Sequence, residues 1–392
     1  MSPSPHKFHI PQRQYPDNLE EVRMTELQTN TQNITERRLV NTESKAPLNE
    51  GEVRLKIDRF AFTANNVTYG AVGEQIGYWQ FFPPTTSADD TTPWGMIPVW
   101  GYASVIESRH PEIAIGERVY GYLPMATEWV MQPGRVNKNR WVDAAPHRAQ
   151  LPAVYNSYQR FVDTPEDSQR ENFTSLLMPL YGTAFCLCDA LEAENYHGAE
   201  QVLIVSASSK TSLGLAYGLS QLPEGERPDV VGLTSAGNQE FVASVGLYDQ
   251  VVTYDGLDAI DTDKPAVIVD MSGNRKVLGT LHQALGDNMR WCHNVGLTHW
   301  DDPADAKDPS LPPLNRERSA MFFAPGHIAK RTEEWGADEW NRRMGKFTQD
   351  ALGHAATWLA VREIAGLEAF LSTYDDVVGG KINAREGLMV VP

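Results

Sequence analysis

Val202-Leu-Ile-Val-Ser-Ala-Ser-Ser-Lys-Thr-Ser-Leu-Gly214 decides how the chain is read. A short apolar, β-branched run enters a cluster of small residues, and an apolar helical pattern leaves it. That order predicts a buried parallel strand, a tight turn and a helix start. A helix N-terminus leaves backbone N–H groups unpaired and carries partial positive charge, so it suits phosphate. Glycines ordinarily let a dinucleotide pyrophosphate approach such a turn. Here Ser206, Ser208, Ser209, Thr211 and Ser212 stand in the turn and Lys210 adds a cation. Hydroxyls are small donors, so these six residues are candidate cofactor contacts. They also fit a plain strand-to-helix turn with a serine-rich cap.

Outward from this unit, 392 residues suggest two domains. A net charge of −17 argues against a general nucleic-acid or anionic-membrane surface. Three cysteines make no disulfide framework, and Cys186-Leu-Cys188 lacks zinc-knuckle spacing. The first residues lack a signal-peptide core and no apolar run reads as membrane-spanning, so a reducing cytoplasm is expected. On that expectation the sequons at Asn33, Asn66 and Asn172 are chance matches.

Before the turn, residues 22–136 read as short strands broken by Gly, Pro and Asn; residues 137–172 read as a polar insertion. After it come Val230-Val-Gly-Leu-Thr, Gln250-Val-Val-Thr-Tyr, Ala266-Val-Ile-Val-Asp and Trp291-Cys-His-Asn-Val, alternating with helices. That alternation predicts a parallel sheet with right-handed crossovers. Met321-Phe-Phe reads as a further strand, 335–348 and 351–364 as long helices, and Gly387-Leu-Met-Val-Val as a closing strand.

The order of parts resembles the medium-chain dehydrogenase/reductase superfamily, in particular its zinc-independent, quinone-oxidoreductase-like branch. The resemblance is carried by Gly51-Glu-Val-Arg-Leu-Lys-Ile, Gly116-Glu-Arg-Val, Ala126-Thr-Glu-Trp-Val, Met178-Pro-Leu-Tyr-Gly-Thr-Ala-Phe, Asp270-Met-Ser-Gly and the tail from Gly366-Leu-Glu-Ala-Phe to Leu388-Met-Val-Val. It implies an α/β fold: a GroES-like β domain at 1–172 with an N-terminal arm and the insertion, and a Rossmann domain at 173–345 with an acidic segment at 301–315. Residues 346–392 would return to the β domain, and the active cleft would lie between the two. The sequence departs from the family at the turn, where serines and Lys210 replace glycines. It departs again where zinc-dependent members carry ligands, since Thr63 and Val99-Trp-Gly stand there; no metal site is expected.

The resemblance implies a nicotinamide dinucleotide, and the end of the second Rossmann strand favours NADPH over NADH, unless that end is a polar loop that binds nothing. An acidic residue would end the second Rossmann strand to bind the ribose of NAD; Thr234, Ser235 and Asn238 offer neutral donors to a 2′-phosphate instead. Lys210 could reach the pyrophosphate or the 2′-phosphate. Tyr254 could pack on adenine or simply on the core edge. Ser272, Gly273, Gly296 and Leu297 sit at strand C-termini, where open α/β sheets bind ligands. Asn65, Asn66 and Tyr69 fall in a loop, Thr63–Gly70, of the kind that lines the family's cleft. Amide and phenol groups there could polarise a carbonyl or deliver a proton; Tyr69 is the first choice of donor and His299 the second. Tyr78, Trp100 and Tyr181 are candidate substrate contacts, or core. The expected activity is zinc-independent, NADPH-dependent reduction of an enone C=C or a carbonyl. The lost glycines keep open a non-redox member of the same fold, lyase-like, hydratase-like or nucleotide-sensing. An apolar edge at Met321 favours a homodimer.

Overall fold

The computed structural model describes residues 24–42, 46–87, 90–162, 164, 166–223, 225–295 and 311–392. Along the chain the first half gives β1 (Met24–Asn30), β2 (Asn33–Thr42), β3 (Val53–Phe62), α1 (Ala64–Ala71), α2 (Gly73–Ile76), β4 (Trp94–Gly95), β5 (Val99–Ser108), β6 (Arg118–Leu123), β7 (Glu128–Met131), β8 (Pro133–Gly134), β9 (Arg140–Asp143) and β10 (Ser157–Phe161). Next come α3 (Ser168–Ala193), β11 (Gln201–Val205), α4 (Lys210–Ser220), β12 (Asp229–Thr234), α5 (Gln239–Val245), β13 (Gln250–Thr253), β14 (Ala266–Asp270), α6 (Arg275–Leu285), β15 (Met289–Asn294) and β16 (Ser319–Met321). The chain closes with α7 (Ala324–Trp335), α8 (Ala337–Ala355), β17 (Ala360–Ala365), α9 (Leu367–Val378) and β18 (Glu386–Val391).

The predicted Rossmann sheet is present, in the order β13-β12-β11-β14-β15-β16. Its strands pair in parallel, with Ile204 beside Gly232 on one side and Val269 on the other. All five residues of β11 and of β14 are buried, as strands covered on both faces require. Leu213, Leu215 and Leu219 of α4 cover one face with Phe241; Val277, Leu278 and Leu281 of α6 cover the other.

The second sheet runs β17-β18-β3-β5-β6-β10-β9-β8, with β7 also on β3. Val53, Leu55, Ile57 and Phe60 of β3 pack inward with Phe370 and Tyr374 of α9. The insertion is not a polar excursion. Its strands β9 and β10 extend this sheet, with Gln159 opposite both Tyr120 and Arg140. The strand's composition explains the reading: β10 turns Tyr158 into the core and Gln159 out, and three of its five residues are Ser, Gln and Arg. The insertion is anchored by Arg148, 1% exposed, which donates to Asp143 (2.6 Å), to Asn156 (2.9 Å) and to the carbonyl of Tyr155 (2.9 Å).

Three other elements differ from expectation. Residues 63–70, expected as a loop, hold α1, because Thr63 and Asn66 form a reciprocal capping box. The helix expected through 364 stops at Ala355, and Ala360–Ala365 becomes β17, paired in parallel with β18. There tertiary pairing outweighs local helix preference. Helix α3 is long and apolar enough to cross a bilayer by length and composition, contrary to expectation; here it packs against α4 and α8. Asn66 and Asn172 of the sequons are buried, which leaves no room for a glycan.

Candidate active site

A cavity of about 1250 Å³ opens between the β sheet and the Rossmann sheet. Its β-domain wall is phenolic. Thr63 caps α1 through the amide of Asn65 (3.3 Å), which fixes the helix on which Tyr69 rides. Trp100 Nε1 donates to the Tyr69 oxygen (3.3 Å), and the hydroxyls of Tyr78 and Tyr155 lie 3.0 Å apart. The Tyr69 and Tyr78 rings are 4.5 Å apart between centroids, and Tyr69, Tyr78 and Tyr155 all line the cavity. Burial raises all three phenols above the ordinary tyrosine value. For Tyr69 the donors Trp100, Asn65 and Tyr155 partly offset that rise. The phenols therefore stay protonated at neutral pH and can donate.

The opposite end is the serine turn. Ser206 has φ +66°, the left-handed region that glycine tolerates best. The backbone thus keeps the shape a glycine would take while the side chain is serine. Ser209 caps α4, accepting from the Ser212 amide (3.2 Å), and Asn238 Nδ2 donates to Ser208 Oγ (3.1 Å). Ser206, Ser208, Ser209, Lys210, Thr211 and Asn238 line the cavity. Gly214 lets α3 approach α4: an added Cβ would lie 2.6 Å from the Tyr181 ring.

Lys210 differs from expectation. Its ammonium donates to the carbonyls of Glu386 (2.7 Å) and Ala384 (3.4 Å), tying the turn to the β18 entry. Burial pushes its pKa down to about 8. Asn66 also points away from chemistry. Its Oδ1 accepts from the Thr63 amide (2.8 Å), and its Nδ2 donates to the Pro98 carbonyl (3.0 Å).

Of the remaining candidates, Asn65 and Trp100 line the cavity. Ser212, Thr234 and Tyr181 are buried outside its lining. Ser235 is exposed beyond β12. Tyr254 reaches Ser206. Ser272 donates from its amide and hydroxyl to Asp270 Oδ1 (2.8 and 2.7 Å), and Gly273 follows in the left-handed region. Gly296, Leu297 and His299 lie outside the described residues. Sequence reasoning missed Tyr155, which lies within the stretch read as a polar insertion, and the wall formed by Phe323, Ile328 and Met344 of the α7–α8 region. Aromatic density in Val154-Tyr-Asn-Ser-Tyr was the available signal for the first. Among the described residues, no group of three or more His, Cys, Asp or Glu could hold a metal ion.

A GroES-like β domain joined to a Rossmann domain across such a cleft is the fold of quinone-oxidoreductase-like proteins, as the motifs imply. The chain belongs to a family described as "Protein of unknown function (DUF2855)", whose model matches residues 60–383. No curated protein matches it in sequence. Among solved structures it is similar to CurA from Vibrio vulnificus in complex with NADPH, at 13% identity over 90% of this chain and 94% of that one (TM-score 0.55). It is similar to the quinone oxidoreductase from Coxiella burnetii at 16% identity, covering 94% and 99% (TM-score 0.52). A mycobacterial protein complexed with NADPH matches at 14% identity, covering 94% and 100% (TM-score 0.51).

Proposed function

We propose that the protein is a zinc-independent, NADPH-dependent oxidoreductase that reduces an enone C=C or a carbonyl of a small organic substrate. The observation that carries this reading is one cavity with protonated phenols at one end and a Rossmann turn with a left-handed first position at the other. That two structural neighbours are complexes with NADPH supports it. The residues present fit the cofactor. Ser206, Ser208 and Ser209 offer hydroxyls at the N-terminus of α4, and no carboxylate ends β12 to repel a 2′-phosphate, with Ser235 and Asn238 available as donors.

NADPH would supply a hydride when bound. The chain's own part is to meet negative charge building on the substrate oxygen. Tyr69 donates its phenolic proton to that oxygen, and the Trp100 N–H stabilises the phenolate left behind. Tyr155 and Tyr78 extend the hydrogen bonding and help exclude water.

Calorimetric titration with NADPH and NADH tests the cofactor, and NADPH consumption over a panel of enones, quinones and aldehydes tests the reaction. Expected is tighter binding of NADPH. Absence of binding at millimolar cofactor removes the redox reading. A non-redox lyase, hydratase or nucleotide sensor would then account for the filled turn and the committed Lys210.

A further inference from the structure

We infer that the insertion gives this site a cation-terminated binding strip, selecting a conjugated carbonyl compound that carries a carboxylate; this rests on the reductase reading for its inner end only. The strip follows from strand register. Residues directly opposite across neighbouring strands share a sheet face. Tyr120 lies opposite Gln159, and Gln159 opposite Arg140, so these three make one row across β6, β10 and β9. Trp100 joins the same face from β5: Tyr120 pairs with Tyr102, and side chains two apart point the same way. Trp100, Tyr120, Gln159 and Arg140 all line the cavity.

The outer end of the row lacks a protein partner of the kind it needs. At the inner end the Tyr120 hydroxyl is sealed from solvent, on a residue 5% exposed, and its ring stacks on Trp100, 5.8 Å between centroids, so this part of the row is aromatic. At the outer end Lys138 and Arg140 stand exposed on the rim. Nearby arginines are committed, Arg148 to Asp143 and Arg160 to Glu117. No carboxylate pairs with Lys138 or Arg140 among the described residues. On a chain of charge −17, two unpaired cations at a cavity mouth are a local attraction for an anion.

Spacing sets the ligand's length. Strands lie about 4.8 Å apart, so Arg140 on β9 stands three spacings, about 14 Å between backbones, from Trp100 on β5. A carbonyl at the Tyr69–Trp100 end, an aromatic or conjugated body over Tyr120 and Gln159, and a carboxylate on the rim fill that span. A guanidinium can bind a carboxylate through two parallel hydrogen bonds, which favours this anion.

The test uses para-carboxybenzylideneacetone and its methyl ester, titrated calorimetrically into the full chain. The acid is expected to bind at least about tenfold tighter than the ester, an advantage reduced by raising salt. In Lys138→Ala/Arg140→Ala the acid-to-ester ratio should fall to near one; both positions are exposed, and an unchanged melting curve checks the fold. Equal affinities in the wild type, no acid binding, or a ratio untouched by the double substitution overturns the strip. NADPH consumption with the same pair separates the two readings. Preferential acid binding without consumption supports the strip and removes the reductase; consumption of both compounds without preference does the reverse.

Discussion

Ser206 holds a left-handed backbone that costs an L-residue roughly 1–2 kcal/mol and costs glycine nothing sterically. Ser206→Gly should therefore be more stable than Ser206→Ala by about 1 kcal/mol in denaturant unfolding, since both lose the hydroxyl and only one loses the strain. Tyr69 is the proton donor of the proposed reaction. Tyr69→Phe should lower kcat about 10²-fold or more with NADPH affinity unchanged, the usual scale for one positioned acid; a fully active variant transfers the role elsewhere. The serine turn and Tyr69 were legible because each follows a strand whose pattern is plain. The commitment of Lys210 to Glu386 and Ala384 was not, because its partners are backbone carbonyls far along the chain. Asn66 was misjudged because both ends of its amide are committed, Oδ1 to the cap of α1 through the Thr63 amide and Nδ2 to the Pro98 carbonyl.

Buried histidines make the fold less stable in acid. Burial holds His282 and His293 down to about 4, and His282 Nδ1 accepts from the Asn315 amide (3.0 Å), a bond that needs the neutral ring. Between pH about 6.5 and about 4 the unfolded chain binds protons that the native chain refuses. Their contribution is fully present above the unfolded value and is lost as pH falls through this window. Each can add a slope of up to about 1.4 kcal/mol per pH unit near pH 5. Unfolding free energy measured from pH 7 to pH 4.5 should fall more gently in His282→Gln, where no ring remains to protonate.

Among the elements, the insertion shows best how a strand hides in sequence. Arg140 of β9 and Ser157 and Gln159 of β10 face the cavity and are polar, so the stretch reads as a loop until its partners are known. Arg148 holds it together and is paired with Asp143, which is 5% exposed. Arg148→Ala strands that carboxylate and releases the Tyr155 carbonyl. Loss of one partner from a buried pair costs about 3–5 kcal/mol. Thermal unfolding should show a large drop, and the Tyr155 phenol should leave its place. The β17 error has the same origin as the insertion's: its pairing with β18 is not visible in Ala360–Ala365 itself.

At the scale of the whole molecule, β16 is the outer strand of the Rossmann sheet, and Met321 and Phe323 are 49% and 41% exposed. An apolar edge of this kind invites pairing. We expect a dimer, with light scattering at micromolar concentration giving twice the chain mass; a single-chain mass defeats the expectation. The order of synthesis adds a different constraint. β18 slots between β17 and β3, with Leu388 opposite Phe62, more than three hundred residues further along the chain. A ribosome adds roughly 5–20 residues per second, so β3 waits on the order of 15–60 s for its neighbour. During that interval Phe60 and Phe62 sit on an open edge, and the nascent β domain is a natural client for holdase chaperones. A slow-translating host or a stop before Glu386 would lengthen the wait without limit, and the yield of native protein would then follow chaperone supply rather than native-state stability.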